Sequence, residues 1–397
     1  MEYYMGIEGM ASNFSICILS DNKGNIISAI KGEPLSLHTI PRSTLYVRIK
    51  HLIRSVISEG GLTKSIIPDT NLCIGLAGTT FKYDREVDLK KNVLEHITPK
   101  FKNVICTGDA EIAFLSCALK PKGSIITSTL GSTVLIANEV EQQFVFTRYG
   151  GWGPVFGDEG SSYCMGCETL RALAKTYDNR EELPKLWFEV NEWLMNPKPK
   201  TYSWSIASNV WNQLQAELSI NASQSIDPRT LLFYFAHHFN HHNAGVNQPS
   251  EGLELWRNIT GGLVIPLMKA YEHDRLAKNI ILKGVQSLVD QHYGAYRTNL
   301  KIHSIKNYEP IVLFGGVFNH FPNFSELVKN KLERKYGKEL SFITTNNGRI
   351  MRPVCGALLL ALSHSQTGSL KFPTESIIEN VFKSQGDVLF SEILQKF

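Results

Sequence analysis

Apolar residues at the start of the chain occur in short runs separated by turn residues, a pattern typical of β-strands. Tyr3–Ile7 and Phe14–Leu19 have strand length, and Ile26–Ile30 follows the turn signal Asp21–Gly24. The next segment, Thr44–Ser58, carries its apolar residues on one helical face. The chain is therefore predicted to open with three strands and a helix.

The same strand pattern restarts about 120 residues further along the chain. Between the two stretches, strands are predicted at Leu72–Leu76 and Val104–Thr107, and helices at Asp84–His96 and Ala110–Leu119. The second stretch predicts the strands Ser124–Thr129, Thr133–Ala137 and Phe144–Arg148. Both stretches place a small-residue turn between their first two strands, which predicts two similar α/β units.

The remainder of the chain is mainly helical in pattern. Apolar residues recur at helical spacing in Arg180–Leu194, Ile206–Leu218 and Arg229–His238. A late strand, Pro310–Phe314, runs into Gly315 and Gly316. The segment Pro353–Ser363 is apolar on nearly all sides, which predicts a buried helix.

Composition narrows the class of protein. The 397 residues are enough for two domains, and 43% hydrophobic with 20% charged residues is ordinary for a globular chain. A net charge of +4 gives no reason to expect a nucleic-acid or membrane partner. The N-terminus lacks a secretory pattern, and the seven scattered cysteines favour a reducing compartment, so a cytoplasmic location is expected.

Two small clusters of potential metal or redox residues are present. Cys164 and Cys167 have CxxC spacing, but no second pair completes a zinc site, so two thiols at a helix start are favoured. The histidines form i, i+4 pairs that could bind zinc, although no nearby carboxylate or cysteine completes the set: His237, His238, His241 and His242. A solvated helix terminus is the favoured interpretation of the histidines.

The strongest local signal is the segment from Gly150 to Ser162, in which five glycines surround Trp152, Asp158 and Glu159. Glycines allow positive φ angles and a close approach of backbone to ligand. A tryptophan face suits the apolar side of a sugar ring, and a carboxylate suits its hydroxyl groups. The residues alone leave two interpretations open, a sugar-binding loop and a turn-rich loop with a packing tryptophan.

This segment resembles the GGWGxxxGDEGSxY signature of N-acetylglucosamine kinases, which belong to the BadF/BadG-type ATPase group of the actin and sugar-kinase superfamily. The resemblance covers most of the chain, because other segments match the family's functional motifs in order. They are the first phosphate loop at Ile7–Ser12, the catalytic aspartate at Thr107–Ala110, the second phosphate loop at Ser128–Ser132, the adenosine turn at Gly315–Val317 and the helix that closes the nucleotide site at Arg352–Ala357.

The resemblance implies an α/β fold of two actin-like (ribonuclease H-like) lobes, each on a mixed five-stranded sheet. The lobes enclose a cleft, and helices enlarge the C-terminal lobe. We expect an N-terminal lobe over residues 1–120, joined by the C-terminal segment 365–397, and a C-terminal lobe over residues 121–364 with a helical insertion. The resemblance also implies a homodimer.

ATP with Mg²⁺ is the cofactor that the resemblance implies. Glu8 would orient the hydrated magnesium, whereas its structural alternative is an exposed loop acid. The residues expected to contact the nucleotide are Gly9, Ser12, Asn13, Gly131, Ser132, Gly315 and Gly316. Backbone N–H groups of such small-residue turns can face phosphate oxygens.

The implied reaction is transfer of the γ-phosphoryl group of ATP to an amino sugar, with N-acetylglucosamine converted to its 6-phosphate as the first expectation. Asp109 would be the general base, although an aspartate between a strand and a helix can equally be an N-cap. The residues expected to contact the sugar are His38, Asp109, Gly131, Trp152 and Asp158. Glucosamine and N-acetylmuramic acid remain alternative substrates.

Three residues depart from the family pattern. Met10 and Ala11 replace glycines of the first phosphate loop, and Leu130 replaces a hydroxyl residue of the second. A lost donor to a charged group costs about 1.5–3 kcal/mol, which would slow an enzyme without abolishing it. A sugar- or nucleotide-binding protein with weak or no catalysis is therefore the alternative function.

Overall fold

Two sheets with the same strand order form the framework of the molecule. The computed structural model describes residues 1–9, 14–35, 40–77, 79, 101–140, 143–195, 232, 257–303, 308–344, 350–363 and 371–389. Each sheet has five strands and mixes parallel with antiparallel pairing, and helices pack against both. The predicted fold class is confirmed.

The first sheet contains β1 (Tyr3–Gly9), β2 (Ser15–Asp21), β3 (Ile26–Gly32), β4 (Thr70–Leu76) and β5 (Asn103–Gly108). Their spatial order is β3-β2-β1-β4-β5, with β1 antiparallel to β2 and parallel to β4. This is a meander of three strands extended on one side by parallel strands. The meander is the one predicted from the apolar runs, with each strand extended by two residues at its carboxyl end and β2 beginning one residue later than predicted.

The second sheet contains β6 (Gly123–Ser128), β7 (Ser132–Val140), β8 (Gln143–Gly150), β9 (Ile311–Phe314) and β10 (Phe342–Ile343). Its order, β8-β7-β6-β9-β10, repeats the order of the first sheet strand for strand. Again the first three strands are antiparallel, and the last two join in parallel. The repeated pattern in the sequence therefore corresponds to a repeated topology.

Helices of the described residues follow in chain order. They are α1 (Arg42–Glu59), α2 (Asp109–Ala118), α3 (Gly153–Phe156), α4 (Ser162–Tyr177), α5 (Lys185–Met195), α6 (Val264–Ala270), α7 (Arg275–His303), α8 (Gly316–His320), α9 (Pro322–Tyr336), α10 (Pro353–Leu362) and α11 (Glu375–Leu389). Residues 257–262 are also helical, and a 3₁₀ turn spans Lys64–Asp69. None of these helices combines the length and apolar character needed to cross a membrane.

Some predicted elements differ from the observed ones. The helix predicted to begin at Arg180 begins at Lys185, because Pro184 disfavours the helical conformation of the residue before it. The predicted helices Asp84–His96 and Ile206–Leu218 lie wholly outside the described residues. Of the predicted helix Arg229–His238, only residue 232 is described. The sequence pattern did not single out α9, α11 or β10.

Helix α2 lies between the two sheets and joins their cores. It contacts β1, β4 and β5 on one side and β6, β7 and β9 on the other. Its side chains Ile112 and Phe114 share one buried cluster with Ile125 of β6, Val312 of β9 and Leu358 of α10. The orientation of α2 therefore depends on both halves of the chain.

Helix α10 packs so closely on its neighbours that two glycines are required. A Cβ atom at Gly356 would lie 1.9 Å from the carbonyl oxygen of Ile112 in α2. A Cβ atom at Gly6 of β1 would lie 2.7 Å from the backbone nitrogen of Leu358. Backbone therefore meets backbone at both contacts, and neither position has room for a side chain.

This packing bears on the predicted lobe boundaries. Helix α11 contacts β3 of the first sheet, within the segment 365–397 expected to join the N-terminal lobe. Helix α10 also packs on the first sheet, although the range 121–364 would assign it to the C-terminal lobe. We propose that the N-terminal lobe includes α10 and that the boundary falls between β10 and α10.

The register of the first sheet places two acidic residues at one edge. Glu8 pairs with Gly75 of β4, and Gly75 pairs with Thr107 of β5. All three strands are parallel, so their carboxyl ends meet at the same edge. Helix α2 begins at that edge with Asp109, two residues after Thr107.

We predict that Gly356→Ala lowers the free energy of unfolding by about 1–3 kcal/mol or more, because the added methyl group overlaps the backbone of α2. Denaturant unfolding would measure the change. Gly386→Ala in α11 is the matched control, since a Cβ atom there meets nothing within 4 Å and should stabilise the helix by about 0.5–1 kcal/mol. Equal stability of Gly356→Ala and the wild type would contradict the packing described.

Candidate active site

Glu8 is a buried residue within β1, only 3% exposed, and not the exposed loop acid of the alternative interpretation. Its Oε2 accepts a hydrogen bond from the backbone N–H of Val354 at 3.0 Å, in the first turn of α10. Burial raises the pKa of Glu8 to about 7, although the Val354 N–H and the charge of Arg352 oppose the rise. The nearby Asp109 carboxylate adds to it.

Asp109 is the first residue of α2 and follows the N-cap residue Gly108. Its carboxylate accepts a hydrogen bond from the N–H of Ala110, the next residue of the helix, at 2.9 Å. The N-cap alternative therefore does not describe this residue. The residue as a whole is exposed, although neighbouring protein atoms crowd its carboxyl group.

The charge environment of Asp109 moves its pKa upward. Protein atoms packed around the carboxyl group desolvate it, and the buried Glu111 in the same helical turn adds to the rise. Two backbone N–H groups and the guanidinium of Arg148 lower the pKa. A raised carboxyl pKa is typical of a group that accepts a proton near neutral pH.

Arg148 of β8 connects Asp109 with the glycine-rich segment. Its Nη2 donates to the carbonyl oxygen of Gly151 at 3.2 Å, and its guanidinium lies 6.0 Å from the ring centroid of Trp152. The same charge lowers the pKa of both Asp109 and Asp158 and so opposes their desolvation by surrounding protein atoms, which raises both pKa values. Arg148 is therefore near both carboxylates.

Asp158 is held tightly at the end of the glycine-rich segment. It is 4% exposed, and its φ of 60° lies in the left-handed region, which few non-glycine residues adopt. Its Oδ1 accepts from the Ser132 N–H at 3.4 Å, and its Oδ2 lies 3.5 Å from Nη2 of Arg257. Such backbone strain persists only where surrounding contacts enforce it and is common at ligand sites.

Trp152 is the N-cap residue of the single-turn helix α3 and is 61% exposed. The neighbouring Val155 and Phe156 are also exposed, at 79% and 84%. The tryptophan therefore does not act as a buried packing residue, which was the structural alternative for this segment. Its ring lies on the same side of the molecule as Arg148.

The second loop is a tight turn beside Asp158. Gly131 lies so close to Asp158 that a Cβ atom would be 3.2 Å from both carboxylate oxygens. Ser132 is buried, and its hydroxyl donates to the carbonyl oxygen of Glu159 at 2.8 Å. Leu130 packs toward Gly261, where a Cβ atom would lie 2.7 Å from Cδ1 of Leu130. The family departure at Leu130 therefore has a packing role.

The predicted adenosine turn adjoins the second loop. Gly315 has a φ of 115°, and a Cβ atom there would lie 2.5 Å from the carbonyl oxygen of Ser128. Gly316 begins α8 directly after it. The structure thus places Gly315 against the end of β6, next to the turn that contains Gly131.

Several of the remaining predicted residues lie outside the described part of the chain. Gly9 ends β1, where its carbonyl oxygen accepts from the Ala77 N–H at 3.1 Å. Ser12, Asn13 and His38 lie outside the described residues, as do His237, His238, His241 and His242 and the loop residues Met10 and Ala11. Cys164 and Cys167 lie in the first half of α4 as free thiols.

Two arginines at the site, Arg148 and Arg257, were not predicted from the sequence, whereas Arg352 opens the segment Arg352–Ala357 that was expected to close the nucleotide site. Arg148 lies inside a strand, and Arg257 begins the described helical stretch 257–262. The only available signal for these two was the position of Arg148 two residues before Gly150. Their proximity to acidic residues depends on contacts between distant parts of the chain.

The carboxylates at this edge suit a divalent cation held by oxygen ligands. Glu8 and Asp109 raise the energy of each other's charged form, and a bound cation relieves such repulsion. The described residues contain no cluster of three or more histidine, cysteine or acidic side chains that could bind a metal without a ligand's help. A cation here would therefore take further oxygens from a bound phosphate.

Comparison with known proteins matches this chain to one family and to amino-sugar kinases. The family model of the BadF/BadG/BcrA/BcrD ATPases matches residues 12–361. An N-acetylmuramic acid/N-acetylglucosamine kinase of Clostridium acetobutylicum is 30% identical over 187 residues, which cover 46% of this chain and 56% of that protein. An N-acetyl-D-glucosamine kinase of Dictyostelium discoideum is 29% identical over 230 residues, covering 51% and 67%.

Solved structures share the fold. A candidate N-acetylglucosamine kinase from Chromobacterium violaceum superposes with a TM-score of 0.56 at 14% identity, covering 91% of this chain and 99% of that one. A second candidate, from Porphyromonas gingivalis, gives a TM-score of 0.51 at 12% identity, covering 90% and 97%. At these identities the likeness concerns the fold.

We predict that the free energy of unfolding of Glu8→Gln, measured relative to the wild type, is larger at pH 8 than at pH 4. The gain in stability should be up to about 3 kcal/mol. The pKa of Glu8 is about 7 in the folded protein against 4.5 as its ordinary value. The folded state therefore holds a proton that the unfolded chain releases as the pH rises from 4.5 to 7. This costs the wild type stability with rising pH, and the amide removes the cost.

Urea unfolding of the wild type and Glu8→Gln at pH 4, 6 and 8 measures this difference. Glu339→Gln, which removes a carboxylate at an exposed position, is the control for the substitution itself. A stability difference between Glu8→Gln and the wild type that is the same at all three values would show that Glu8 ionises normally.

Proposed function

The chain belongs to the BadF/BadG/BcrA/BcrD ATPase family, and from that premise we propose that it transfers the γ-phosphoryl group of ATP to the 6-hydroxyl of an amino sugar. N-acetylglucosamine is the first substrate we would test, because both curated relatives include it in their names. A cytoplasmic location and a homodimer remain predictions that this proposal carries with it.

The observation that supports the proposal best is a set of neighbouring charged side chains, from Glu8 to Asp158, that influence one another electrostatically. The charge of Asp109 raises the pKa of Glu8, and the charge of Arg148 lowers the pKa of both Asp109 and Asp158. Glu8 lies in β1 of the first sheet and Asp109 at the start of α2, which follows β5 of that sheet. Asp158 follows β8 of the second sheet. Residues from both halves of the chain thus converge on one region where a nucleotide and a sugar could meet.

Asp109 is the proposed general base. Its carboxylate would accept the proton of the sugar hydroxyl while that oxygen attacks the γ-phosphorus and the bond to the ADP oxygen breaks. Asp158 and Trp152 would hold the ring, the first through hydroxyl groups and the second through the apolar face. Arg148 would hold Asp109 in its ionised form and orient the backbone at Gly151.

The nucleotide would lie between the two turns of the repeated topology. We propose that Gly9, Ser12 and Asn13 face the phosphates from one side and Gly131 and Ser132 from the other. The adenosine would lie near Gly315 and Gly316. Magnesium supplies charge neutralisation of the β- and γ-phosphates when bound, and Glu8 is the residue that would orient it.

A coupled assay for ADP release with a panel of sugars tests the proposal. We expect release that depends on an amino sugar and on Mg·ATP. Release that is equal with and without sugar would indicate an ATPase instead of a kinase. Sugar binding by calorimetry without any ADP release would favour the alternative, a binding protein on the kinase fold.

We predict that Asp109→Asn lowers kcat by about 10²–10⁴ while the sugar affinity changes little. The amide keeps the size of the side chain and removes the proton acceptor. Steady-state kinetics with calorimetric sugar binding would separate the two effects. Turnover close to the wild-type value would show that the base lies elsewhere.

Trp152→Ala and Asp158→Asn should have the opposite signature. We predict that each raises KM for the sugar by about tenfold or more, with a smaller effect on kcat, because these groups bind the ring and move no proton. Phe156→Ala is the control, since this neighbour of Trp152 is 84% exposed. A loss of kcat at unchanged KM would contradict the assigned roles.

A further inference from the structure

Arg257 is a cation in the wall of the candidate sugar site whose binding capacity is only partly used. Its Nη2 lies 3.5 Å from Oδ2 of Asp158, longer than the 2.7–2.9 Å of a strong charge-assisted hydrogen bond. Its Nε is buried and, among the described residues, has no hydrogen-bond partner. The pair with Asp158 therefore leaves donors of the guanidinium available.

The position of Arg257 is fixed by the packing of its helical segment. A Cβ atom at Gly166 of α4 would lie 1.8 Å from the carbonyl oxygen of Thr260, so α4 and this segment meet backbone to backbone. Leu130 packs toward Gly261 from the second loop. The guanidinium itself lies 5.6 Å from the ring centroid of Tyr163. These contacts hold Arg257 beside Asp158.

The Arg257 side chain is partly accessible, with 24% of its surface exposed and its Nε buried. An arginine fork matches a planar carboxylate with two parallel hydrogen bonds. Asp158 by itself would repel an acidic sugar, whereas Arg257 beside it supplies the charge that such a sugar needs.

Building on the proposed kinase function, we infer that Arg257 is the residue that selects the substituent of the amino sugar and that the preferred substrate carries a carboxylate there. The chemistry that Arg257 recognises is an acidic ether of the sugar ring, as in N-acetylmuramic acid with its 3-O-lactyl group. Neutral amino sugars would still bind through Asp158 and Trp152, with Arg257 contributing less.

The experiment compares N-acetylmuramic acid with its carboxamide, which has the same shape and no charge. For the wild type we expect kcat/KM to be about 10- to 100-fold higher for the acid than for the amide. Arg257→Gln should reduce this ratio to about one, and Arg257→Lys should keep an intermediate value because it retains charge but loses the fork. A ratio measured within one variant is independent of the fraction of protein that is folded.

Arg171→Gln is the matched control. Arg171 lies on α4 with 68% of its side chain exposed and pairs with Glu168, so its replacement should leave the wild-type ratio in place. Equal use of acid and amide by the wild type would overturn the inference. A preference for the acid that survives in Arg257→Gln would overturn it as well.

The same reagents separate this inference from the proposed function. If no amino sugar is phosphorylated, the kinase proposal fails, and calorimetric affinities for the acid and the amide then replace kcat/KM. Tighter binding of the acid that is lost in Arg257→Gln would still support recognition of a carboxylate. Equal affinities for the two ligands would reject it.

Discussion

The backbone contact of α10 with β1 and α2 is the constraint on which the site depends. Gly356 and Gly6 permit that contact, and α10 consequently presents its first turn to the end of β1. The Val354 N–H then meets the Glu8 carboxylate at 3.0 Å. Since α2 is held by the same packing and begins with Asp109, one set of contacts positions both acids. A shift of α10 would therefore change the electrostatics of the site as well as the core.

Charge balance explains why acidic residues can collect at this site. Desolvation by surrounding protein atoms disfavours the charged forms of Glu8, Asp109 and Asp158 and so raises the pKa of each. Arginines oppose that effect, with Arg352 beside Glu8, Arg148 beside both aspartates and Arg257 beside Asp158. An anionic phosphate and a polyhydroxylated ring can both be accommodated in such mixed surroundings, because each finds a group of the required charge or hydrogen-bonding type.

Local pattern predicted the elements of this fold better than it predicted their contacts. The strands of the two meanders follow from apolar runs and turn residues, and the restart at Ser124 predicted the repeated sheet. The burial of Glu8 was not predictable, because it depends on α10, about 345 residues later in the chain. Arg257 likewise could not be identified as a site residue from the sequence, because its position beside Asp158 depends on the tertiary structure. The glycine-rich segment is the exception, since its residues carry a recognisable motif within one short stretch.

The proposed reaction transfers a phosphoryl group from ATP to a sugar, which differs from simple hydrolysis of ATP. Phosphorus NMR of a reaction with Mg·ATP and N-acetylglucosamine distinguishes these outcomes directly. The account predicts a phosphomonoester signal that is coupled to the methylene protons at C6 and grows as ADP accumulates. Accumulation of inorganic phosphate alone, with no phosphomonoester for any amino sugar supplied, would contradict it.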